Sequence, residues 1–466
     1  IGCGFGSSSP PPFPSFPEWD NNNIKHRSSV PLGLPHPVHF PPTCTHSIAE
    51  PPPPEVLETL PTHLAKFYST NHLPPNSLLA CADKATIISV GNDHNDGNDK
   101  SGKVVFHIHG KLGHEVYQDW HTISLPSPHN HPLSSSPPLT IVQLAAGKRH
   151  VLILTSFGAV YSLGSGFYGQ LGLGQSRTIA DKPQRVHGPI GDKHVRMIAA
   201  GAYHSICVVN EDGNDACEPD SKLSSDYKSD DFPSTSSTSS FFSSSSSSSS
   251  HSPPTSTSTK TETIYCFGLN KCNQCSPLSS ETIIMSPNKP VALPTTQPFR
   301  VVSITAGKSH TTCVIATTPR SSSSSSSSPS SIAVYSWGST AHGCAGVSTS
   351  SPILTSPSPV IGCPPSTTCV SSGDSHTLLL TSQGTVFVWG KGDTGQLGTG
   401  SSFHYRNPRP NSFLSKHVGK IKSIYARGDW SACVTVHGEL WTWGSDSGGW
   451  LGHVLPSPSE LQHIST

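Results

Sequence analysis

The chain has 466 residues with 29 basic and 29 acidic side chains, so its formal net charge is zero and its isoelectric point is about 7.4. Because no basic tail or stripe is present, direct binding of nucleic acid is not expected. No apolar run approaches 18 residues, so no membrane-spanning helix is predicted. The thirteen scattered cysteines are typical of a reducing compartment, and we expect the protein inside the cell, in the nucleus or the cytoplasm.

The N-terminal part of the chain has the weakest pattern. Residues 1–6 look like a closing strand that ends on glycine, and residues 7–77 are typical of a proline-rich linker. Residues 78–139 predict a degenerate repeat, in which Ala82 and Ala85 stand where later copies have Gly and His.

From residue 140 onwards one phrase is repeated five times. It joins an Ala-Gly-x-x-His block to a later block that ends in Gly, and the residue before this Gly is aromatic or Leu. The first block begins at Ala146, Ala200, Ala306 and Ser372 and, in decayed form, at Arg427. The second block ends at Gly164, Gly268, Gly338, Gly390 and Gly444. Matching glycines of the compact copies are 52 to 55 residues apart, and a repeat of this period determines the architecture.

Each copy has the pattern of short antiparallel strands. Residues 151–154 form an apolar run, residues 155–158 a glycine turn and residues 159–164 a second run, which together indicate a hairpin. About four strands per copy fit one propeller blade. We assign the blades to the ranges 140–194, 195–300, 301–366, 367–420 and 421–466.

Two blades contain serine-rich insertions, at residues 214–262 and 321–331. These insertions lack the apolar surface that would offset their conformational entropy, so we expect them to be disordered loops.

The predicted fold is therefore an all-β, seven-bladed β-propeller, with six or seven blades as the range. Residues 460–464 look like the first strand of a blade. If they share one blade with residues 1–6, the ring closes and no sheet edge stays free. The competing interpretation is a fragment cut in mid-repeat.

These linked motifs resemble the repeats of the regulator of chromosome condensation superfamily. A Gly-Gln-Leu-Gly block at 169–172 and 395–398, with a variant at 449–452, strengthens the resemblance. It covers residues 140–466 well and 1–139 poorly, and it implies a propeller that usually has seven blades. Kelch and WD-repeat propellers carry other signatures.

The repeated residues have structural interpretations. We expect each repeated histidine to bond a backbone carbonyl and hold its blade together, with Ser431 replacing it in the last copy. Trp337, Trp389 and Trp443 recur at strand ends and are expected to pack between neighbouring blades. Cys207, Cys313 and Cys433 lie in apolar runs and are expected in the core.

Three segments have the residue types of a reactive site without the required pattern. The pair Cys272 and Cys275 has no second pair to complete a zinc site, so it is interpreted as a decayed repeat loop. Residues 92–97 lack the glutamate of a calcium loop, and neighbouring strand residues such as Asp374, Ser375 and His376 cannot form a catalytic relay. The sequence thus names no catalytic, cofactor-binding or metal-ligating residue and no cofactor.

The function predicted from the sequence is that of a non-enzymatic, monomeric scaffold or adaptor that binds protein partners through its loops. One alternative implied by the resemblance is guanine-nucleotide exchange on a small Ran-like GTPase. Another is a chromatin-associated adaptor of a histone-modifying partner. Ultraviolet receptors with this fold carry repeated Gly-Trp-Arg-His-Thr segments, and the retention of Trp430 alone at these positions argues against photoreception.

Overall fold

The computed structural model describes residues 36–37, 78–89, 104–125, 139–174, 177–210, 262–317, 331–446 and 451. Within these ranges the chain is nearly all β, with one 3₁₀ turn at Ala341–Gly343 and one π-helical turn at Leu414–Val418. The strands form six antiparallel sheets, which we number in chain order.

The first three sheets begin after a two-residue strand, β1 (His36–Pro37). Sheet one contains β2 (Leu78–Cys81), β3 (Lys84–Ser89), β4 (Val105–Leu112) and β5 (Glu115–Ser124). Sheet two contains β6 (Ile141–Ala146), β7 (His150–Thr155), β8 (Val160–Ser165) and β9 (Ile179–Arg185). Sheet three contains β10 (His194–Ala200), β11 (His204–Asn210), β12 (Glu262–Leu269), β13 (Ile283–Ile284) and β14 (Pro290–Val291).

The last three sheets repeat the same order. Sheet four contains β15 (Phe299–Ala306), β16 (His310–Thr317), β17 (Ser331–Ser339) and β18 (Ile353–Pro359). Sheet five contains β19 (Thr367–Ser372), β20 (His376–Thr381), β21 (Val386–Gly390) and β22 (Tyr405–Pro410). Sheet six contains β23 (Ile421–Arg427), β24 (Trp430–Thr435) and β25 (Leu440–Gly444), and β1 pairs with β25.

The sheets stand side by side around an axis, as a propeller requires. The first strand of each sheet packs on the first strand of the next, so that β2 contacts β6, β6 contacts β10, β10 contacts β15, β15 contacts β19 and β19 contacts β23. The first strands of sheets two to six carry a register shift at the same place, for example between Val195 and Met197. Such a β-bulge increases local twist, and its recurrence gives the sheets one common shape.

An N-terminal strand and the last repeat share sheet six, whereas the sequence analysis placed the shared sheet in a separate blade that closes the ring. The strand in the outer position is β1, whose Pro37 pairs with Trp441, whereas the sequence analysis assigned closure to residues 1–6 and treated 7–77 as linker. Residues 1–6 and 460–464 lie outside the described residues. A signal for β1 was present, because residues 35–38 read Pro-His-Pro-Val and residues 357–360, at the end of β18, read Pro-Ser-Pro-Val.

The core lies between the faces of neighbouring sheets, and three tryptophans connect them. Trp337, Trp389 and Trp443 are fully buried. Each indole donates a hydrogen bond to a loop carbonyl of the preceding sheet, at 2.9 to 3.0 Å, and the acceptors are Gln274, Cys344 and Gln396 respectively. The prediction that these tryptophans join neighbouring blades is confirmed.

Replacing Trp389 by alanine should lower the free energy of unfolding by about 3–5 kcal/mol, because a large buried ring is lost and a cavity remains. Trp389→Phe should cost less, since it keeps most of the packing and loses the bond to the Cys344 carbonyl. Urea denaturation followed by circular dichroism measures both. Phe403→Ala removes an aromatic ring that is 71% exposed and should change stability by no more than about 0.5 kcal/mol; equal costs for Trp389→Ala and Phe403→Ala would contradict this account.

Candidate functional site

Two kinds of loop from every sheet meet at one end of the ring, which we call the repeat face. They are the turns between first and second strands, such as 147–149, and the loops between third and fourth strands, such as 166–178. Connections from second to third strands lie at the opposite end, where Asn210 pairs with Glu262 and Thr317 with Ser331. The serine-rich segments 211–261 and 318–330, outside the described residues, are therefore attached to the end opposite the repeat face.

Backbone hydrogen bonds join the first turns of consecutive sheets on the repeat face. The amide of Lys148 donates to the carbonyl of Ala202 at 3.2 Å, and the amide of Ala202 donates to the carbonyl of Gly307 at 3.2 Å. The series continues from Lys308 to Asp374 at 3.1 Å and from Asp374 to Gly428 at 2.7 Å. These bonds satisfy turn amides that secondary structure leaves unpaired, and they fix the rim of the central channel.

Inside this rim the channel has a cavity of about 830 Å³. Its wall consists mostly of Ala, Gly, Ser and Thr residues from the first strands and first turns. Six ionisable side chains also line it, three acidic and three basic, namely Asp83, Asp374, Asp429, Lys84, Lys148 and Arg427. The cavity therefore has no net charge.

Two charged side chains span the channel. The Lys148 ammonium of sheet two contacts the Asp374 carboxylate of sheet five at 3.2 Å. Burial opposes the charge on Lys148, but Asp374 outweighs burial and raises the pKa of Lys148. The Arg427 guanidinium of sheet six donates to the carbonyls of Ala146 and Gly147 in sheet two, at 3.0 and 3.1 Å. Both side chains thus connect sheets that are not neighbours in the ring.

The repeated histidines join sheets through a side-chain hydroxyl. The Nε2 atoms of His150, His204, His310 and His376 lie 2.7 to 3.1 Å from the hydroxyls of Ser205, Thr311, Thr377 and Ser431 in the next sheet. Those hydroxyls donate in turn to the carbonyls of Gln170, Gln274, Cys344 and Gln396. We expected a direct bond to a backbone carbonyl; the structure places a hydroxyl between the histidine and the carbonyl, and the bond joins two sheets rather than holding one together.

This geometry determines the tautomer of each histidine. Since the hydroxyl proton is donated to a carbonyl, the hydroxyl accepts from the imidazole, so Nε2 carries the ring proton. The Nδ1 atoms of all four rings are buried without a hydrogen-bond partner. Burial lowers the pKa of His150, His204 and His376 to about 3 and that of His310 to about 4. The rings are therefore neutral at physiological pH, and their buried Nε2 atoms are engaged in bonds between sheets.

The glycine in Ala-Gly-x-x-His makes room for the histidine ring. A Cβ atom built on Gly373 would stand 2.2 Å from Cε1 of His376, and Gly147 and Gly307 have the same close approach to their histidines. Glycine and histidine are accordingly lost together in sheet one, which has Ala82 and Ala85.

Sheet six has also lost the pair, and here the alignment made from the sequence was wrong. Trp430 pairs with Gly444 just as His376 pairs with Gly390, so Trp430 stands at the histidine position and Arg427 at the glycine position. Ser431 is the hydroxyl partner of His376 rather than a substitute for histidine. The sequence match was misplaced by one residue because Arg427-Gly428 imitates Ala-Gly.

The repeated Gln of the Gly-Gln-Leu-Gly block stabilises the loop to which it belongs. The Gln170 and Gln396 side-chain oxygens accept the amides of Tyr168 and Thr394, at 2.9 and 3.0 Å. Gln274 does the same for the amide of Cys272 at 2.9 Å. The segment 272–275 therefore performs the role of the repeat loop, which confirms its interpretation as a decayed copy.

The other candidate segments form no reactive site among the described residues. His376 bonds Ser431 and Asp374 bonds Lys148, so the triad residue types at 374–376 point to different partners. Residues 92–97 lie outside the described residues. Within the described ranges no cluster of three His, Cys, Asp or Glu side chains could hold a metal ion, and no helix is long and apolar enough to cross a membrane.

The repeat face carries a row of aromatic rings over sheets one to three. The His114 and Phe167 rings meet edge to face at 5.6 Å, and the Tyr168 and Tyr203 rings do so at 5.3 Å. Phe167 is 49% exposed and Tyr168 is 40% exposed, so these rings face solvent. Sequence reasoning missed the row because its members come from three separate repeats.

Acid should destabilise the fold through the four buried histidines. Their pKa values are lower in the folded chain than the ordinary 6.5, so the unfolded chain binds more protons and stability falls as the pH drops from about 7 towards 4. At pH 5 each histidine should lower the free energy of unfolding by about 2 kcal/mol. The loss from all four exceeds the lower end of the range of domain stabilities. Urea denaturation at pH 7.5 and 5.0 measures the loss, and His310→Gln should reduce it by about 2 kcal/mol. An unchanged pH dependence in that variant would contradict a neutral His310.

Reversing one partner of the ion pair across the channel should weaken the ring, and reversing both should restore it. Lys148→Glu or Asp374→Lys alone places like charges in a confined space and should lower the free energy of unfolding by about 1–2 kcal/mol. The double variant should recover about 1 kcal/mol as coupling. The double-mutant cycle is measured by urea denaturation at low salt, and strictly additive effects would show that the two side chains do not interact.

The repeats match known proteins over much of the chain. Residues 158–208 and 383–434 match the model of the regulator of chromosome condensation (RCC1) repeat, and 368–396 match a second model of that description. The ultraviolet-B receptor UVR8 of Arabidopsis thaliana is 28% identical over 354 residues, 73% of each chain. The E3 ubiquitin-protein ligase HERC2 of Homo sapiens is 26% identical over 315 residues, 67% of this chain but 5% of HERC2.

Only a small part of HERC2 is thus represented. Among solved structures, yeast RCC1 (Prp20) bound to Kap60 has a TM-score of 0.50 and 17% identity, over 84% of this chain and 69% of the matched chain, which supports the fold alone. The phrase repeated at one period, the six sheets around a channel and the matched models agree. The chain is a β-propeller of the RCC1 superfamily.

Proposed function

We propose that the protein is a non-enzymatic scaffold or adaptor whose repeat face binds protein partners. The observation that carries the proposal is the row of exposed aromatic rings formed by His114, Phe167, Tyr168 and Tyr203. Aromatic residues in a fixed geometry are the anchors that most often dominate the free energy of protein–protein binding.

The row is held rigidly, which favours binding. The Tyr168 amide is bonded to Gln170, and the following Gly169, at a φ of 78°, lies against the Ile284 carbonyl of sheet three. A loop fixed in this way loses little conformational entropy when a partner binds. The long serine-rich segments are attached at the opposite end and not to the described loops of the repeat face.

Basic side chains stand around the aromatic row. The exposed charged side chains on the described repeat-face loops and adjoining strands of sheets one to four are more often basic than acidic. The basic ones are Lys84, Lys111, Arg149, Arg177, Lys182, Lys271 and Lys308, and the acidic ones are Asp83, Glu115, Asp181 and Glu281. This excess of positive charge favours an acidic surface on the partner, because complementary charge accelerates association and selects orientation.

The two alternatives from the sequence, nucleotide exchange on a small GTPase and adaptor function on chromatin, remain predictions. The geometry of the described residues adds no specific support to either. HERC2 and UVR8 are similar to this chain over its repeats, and the ligase and receptor functions in their names belong to those proteins.

The proposal is tested with affinity capture from cell extract followed by quantitative mass spectrometry. Tyr168→Ala and Arg149→Glu should each reduce the capture of specific partners about 30-fold, the effect of losing an anchor worth about 2 kcal/mol. Val436→Ala, at an exposed turn on the opposite end, and Lys289→Glu, at the outer edge of sheet three, are the matched controls and should retain capture. If partners are captured equally by all four variants, the repeat face is not the binding surface.

A further inference from the structure

One link between sheets is strongly basic. The chain passes from the last strand of each sheet to the first strand of the next at the end opposite the repeat face, and four of these links are described throughout. The link of residues 411–420, between sheets five and six, contains Lys416 and Lys420 and no acidic residue. The other three have no net formal charge, and they are residues 186–193, 292–298 and 360–366.

The strands that flank this link add to its positive charge. Arg409 lies near the end of β22 and Lys422 near the start of β23, and both side chains are exposed. No aspartate or glutamate occurs between Asp393 and Asp429, although the chain as a whole is balanced. We call residues 409–422 the basic link. The sequence analysis found no basic stripe because these residues are spaced along the chain, and the fold places them at one junction.

The positive charge of the basic link is not neutralised within the part of the chain that the structure describes. There, Arg409, Lys416 and Lys422 make no ion pair. The Arg409 guanidinium lies over the Tyr405 ring, with Cζ 5.6 Å from the ring centroid, which orients the guanidinium and keeps its charge. The adjoining turn of sheet six carries one carboxylate, Glu439, so basic side chains stay in excess. Their charge is therefore available to a ligand.

Buried contacts hold the backbone of the basic link in one shape. Asn411 is fully buried, and its side-chain amide donates to the carbonyls of Leu397 and Gly398, each at 3.0 Å. Its side-chain oxygen accepts the Leu414 amide at 2.9 Å. The Lys420 carbonyl accepts a backbone amide of sheet six at 3.1 Å. A surface fixed in this way loses little conformational entropy when a ligand binds.

We propose that the basic link is a second docking surface and that its occupant is an extended acidic segment of a partner protein. Carboxylates spaced along such a segment complement Arg409, Lys416 and Lys422, and complementary charge accelerates association and selects orientation. The basic link and the aromatic row lie at opposite ends of the ring, so the two surfaces can be occupied at the same time. This inference does not rest on the function proposed for the repeat face.

The distribution of charge around the basic link favours a narrow occupant over a broad one. At the same end of the ring, the links of residues 292–298 and 360–366 are uncharged, and the exposed carboxylates of Asp192 and Glu439 stand on other loops. An anionic membrane would meet all of these loops at once, whereas the positive charge is confined to one junction. Duplex DNA is bound through more phosphate contacts than one such link supplies. A single acidic chain segment therefore fits this surface best.

Fluorescence anisotropy with a labelled peptide tests the proposal in the full chain. The probe is a peptide of alternating glutamate and glycine, and the same peptide with glutamine in place of glutamate is its control. Lys416→Glu combined with Lys422→Glu should weaken binding of the acidic peptide at least about tenfold at low salt. Lys182→Glu combined with Lys289→Glu, at the exposed outer edges of sheets two and three, changes the net charge by the same amount and should leave binding unchanged.

Lysine footprinting locates the peptide without any variant. Saturating acidic peptide should slow the chemical acetylation of Lys416 several-fold and leave that of Lys289 unchanged, as measured by mass spectrometry. Arg149→Glu combined with Lys308→Glu alters the repeat face and should leave peptide binding intact; loss of binding in that variant alone would place the peptide on the repeat face and overturn the proposal. It would also be overturned by no binding to the native protein or by equal binding to the two double variants above. Sedimentation with phosphatidylserine vesicles or duplex DNA that depends on Lys416, in place of peptide binding, would show a different occupant and overturn it too.

Discussion

The hydrogen bond from a buried histidine to a hydroxyl of the next sheet is the interaction on which the ring depends. It is made four times, and each time the hydroxyl donates a hydrogen bond to a loop carbonyl of the sheet that supplies the histidine. One bridge therefore ties together a second strand, a neighbouring sheet and a repeat-face loop. Because the ring is neutral and enclosed, the bond is strong in its low-dielectric surroundings, but protonation would leave a charge with no partner.

The residues around the histidine follow from this bond. Glycine is required three positions before the histidine, because the imidazole ring occupies the space that a Cβ atom would take at that position. In the following sheet, a hydroxyl is required one residue after the position that corresponds to the histidine. At three junctions a tryptophan indole donates to the same carbonyl as this hydroxyl, and these carbonyls belong to Gln274, Cys344 and Gln396. At the junction of sheets one and two all these residues are replaced together. Ala85 stands at the histidine position and packs with Val151 and Leu163 in one apolar cluster. An apolar contact has replaced the polar one without leaving a donor unsatisfied.

How far the sequence leads to the structure depends on whether a residue acts within its repeat or between repeats. The strands, the turns and the burial of the tryptophans could be predicted because periodicity and apolar character are local properties. The hydroxyl that accepts the histidine's hydrogen bond could not be predicted, because residues such as Ser205 and Thr311 belong to the following copy of the repeat and not to the copy that contains the histidine. The shift at Arg427–Trp430 was hidden because glycine moved by one position, and only strand pairing with Gly444 reveals it. The aromatic row required the placement of three repeats side by side.

The two sheets that have lost the glycine–histidine pair, one and six, are the first and the last of the six described sheets. Sheets three, four and five are joined to both neighbours by this bridge, whereas sheet two is joined by it to sheet three alone. Arg427 occupies the vacated glycine position, and from there its guanidinium reaches the Ala146 and Gly147 carbonyls of sheet two. That contact bypasses sheet one and holds the ring across the place where the ordinary bridge is missing. Burial lowers the pKa of Arg427, and Asp83 and Asp374 favour its charged form. The channel charges thus compensate at the rim for an interaction that the repeat supplies elsewhere in the ring.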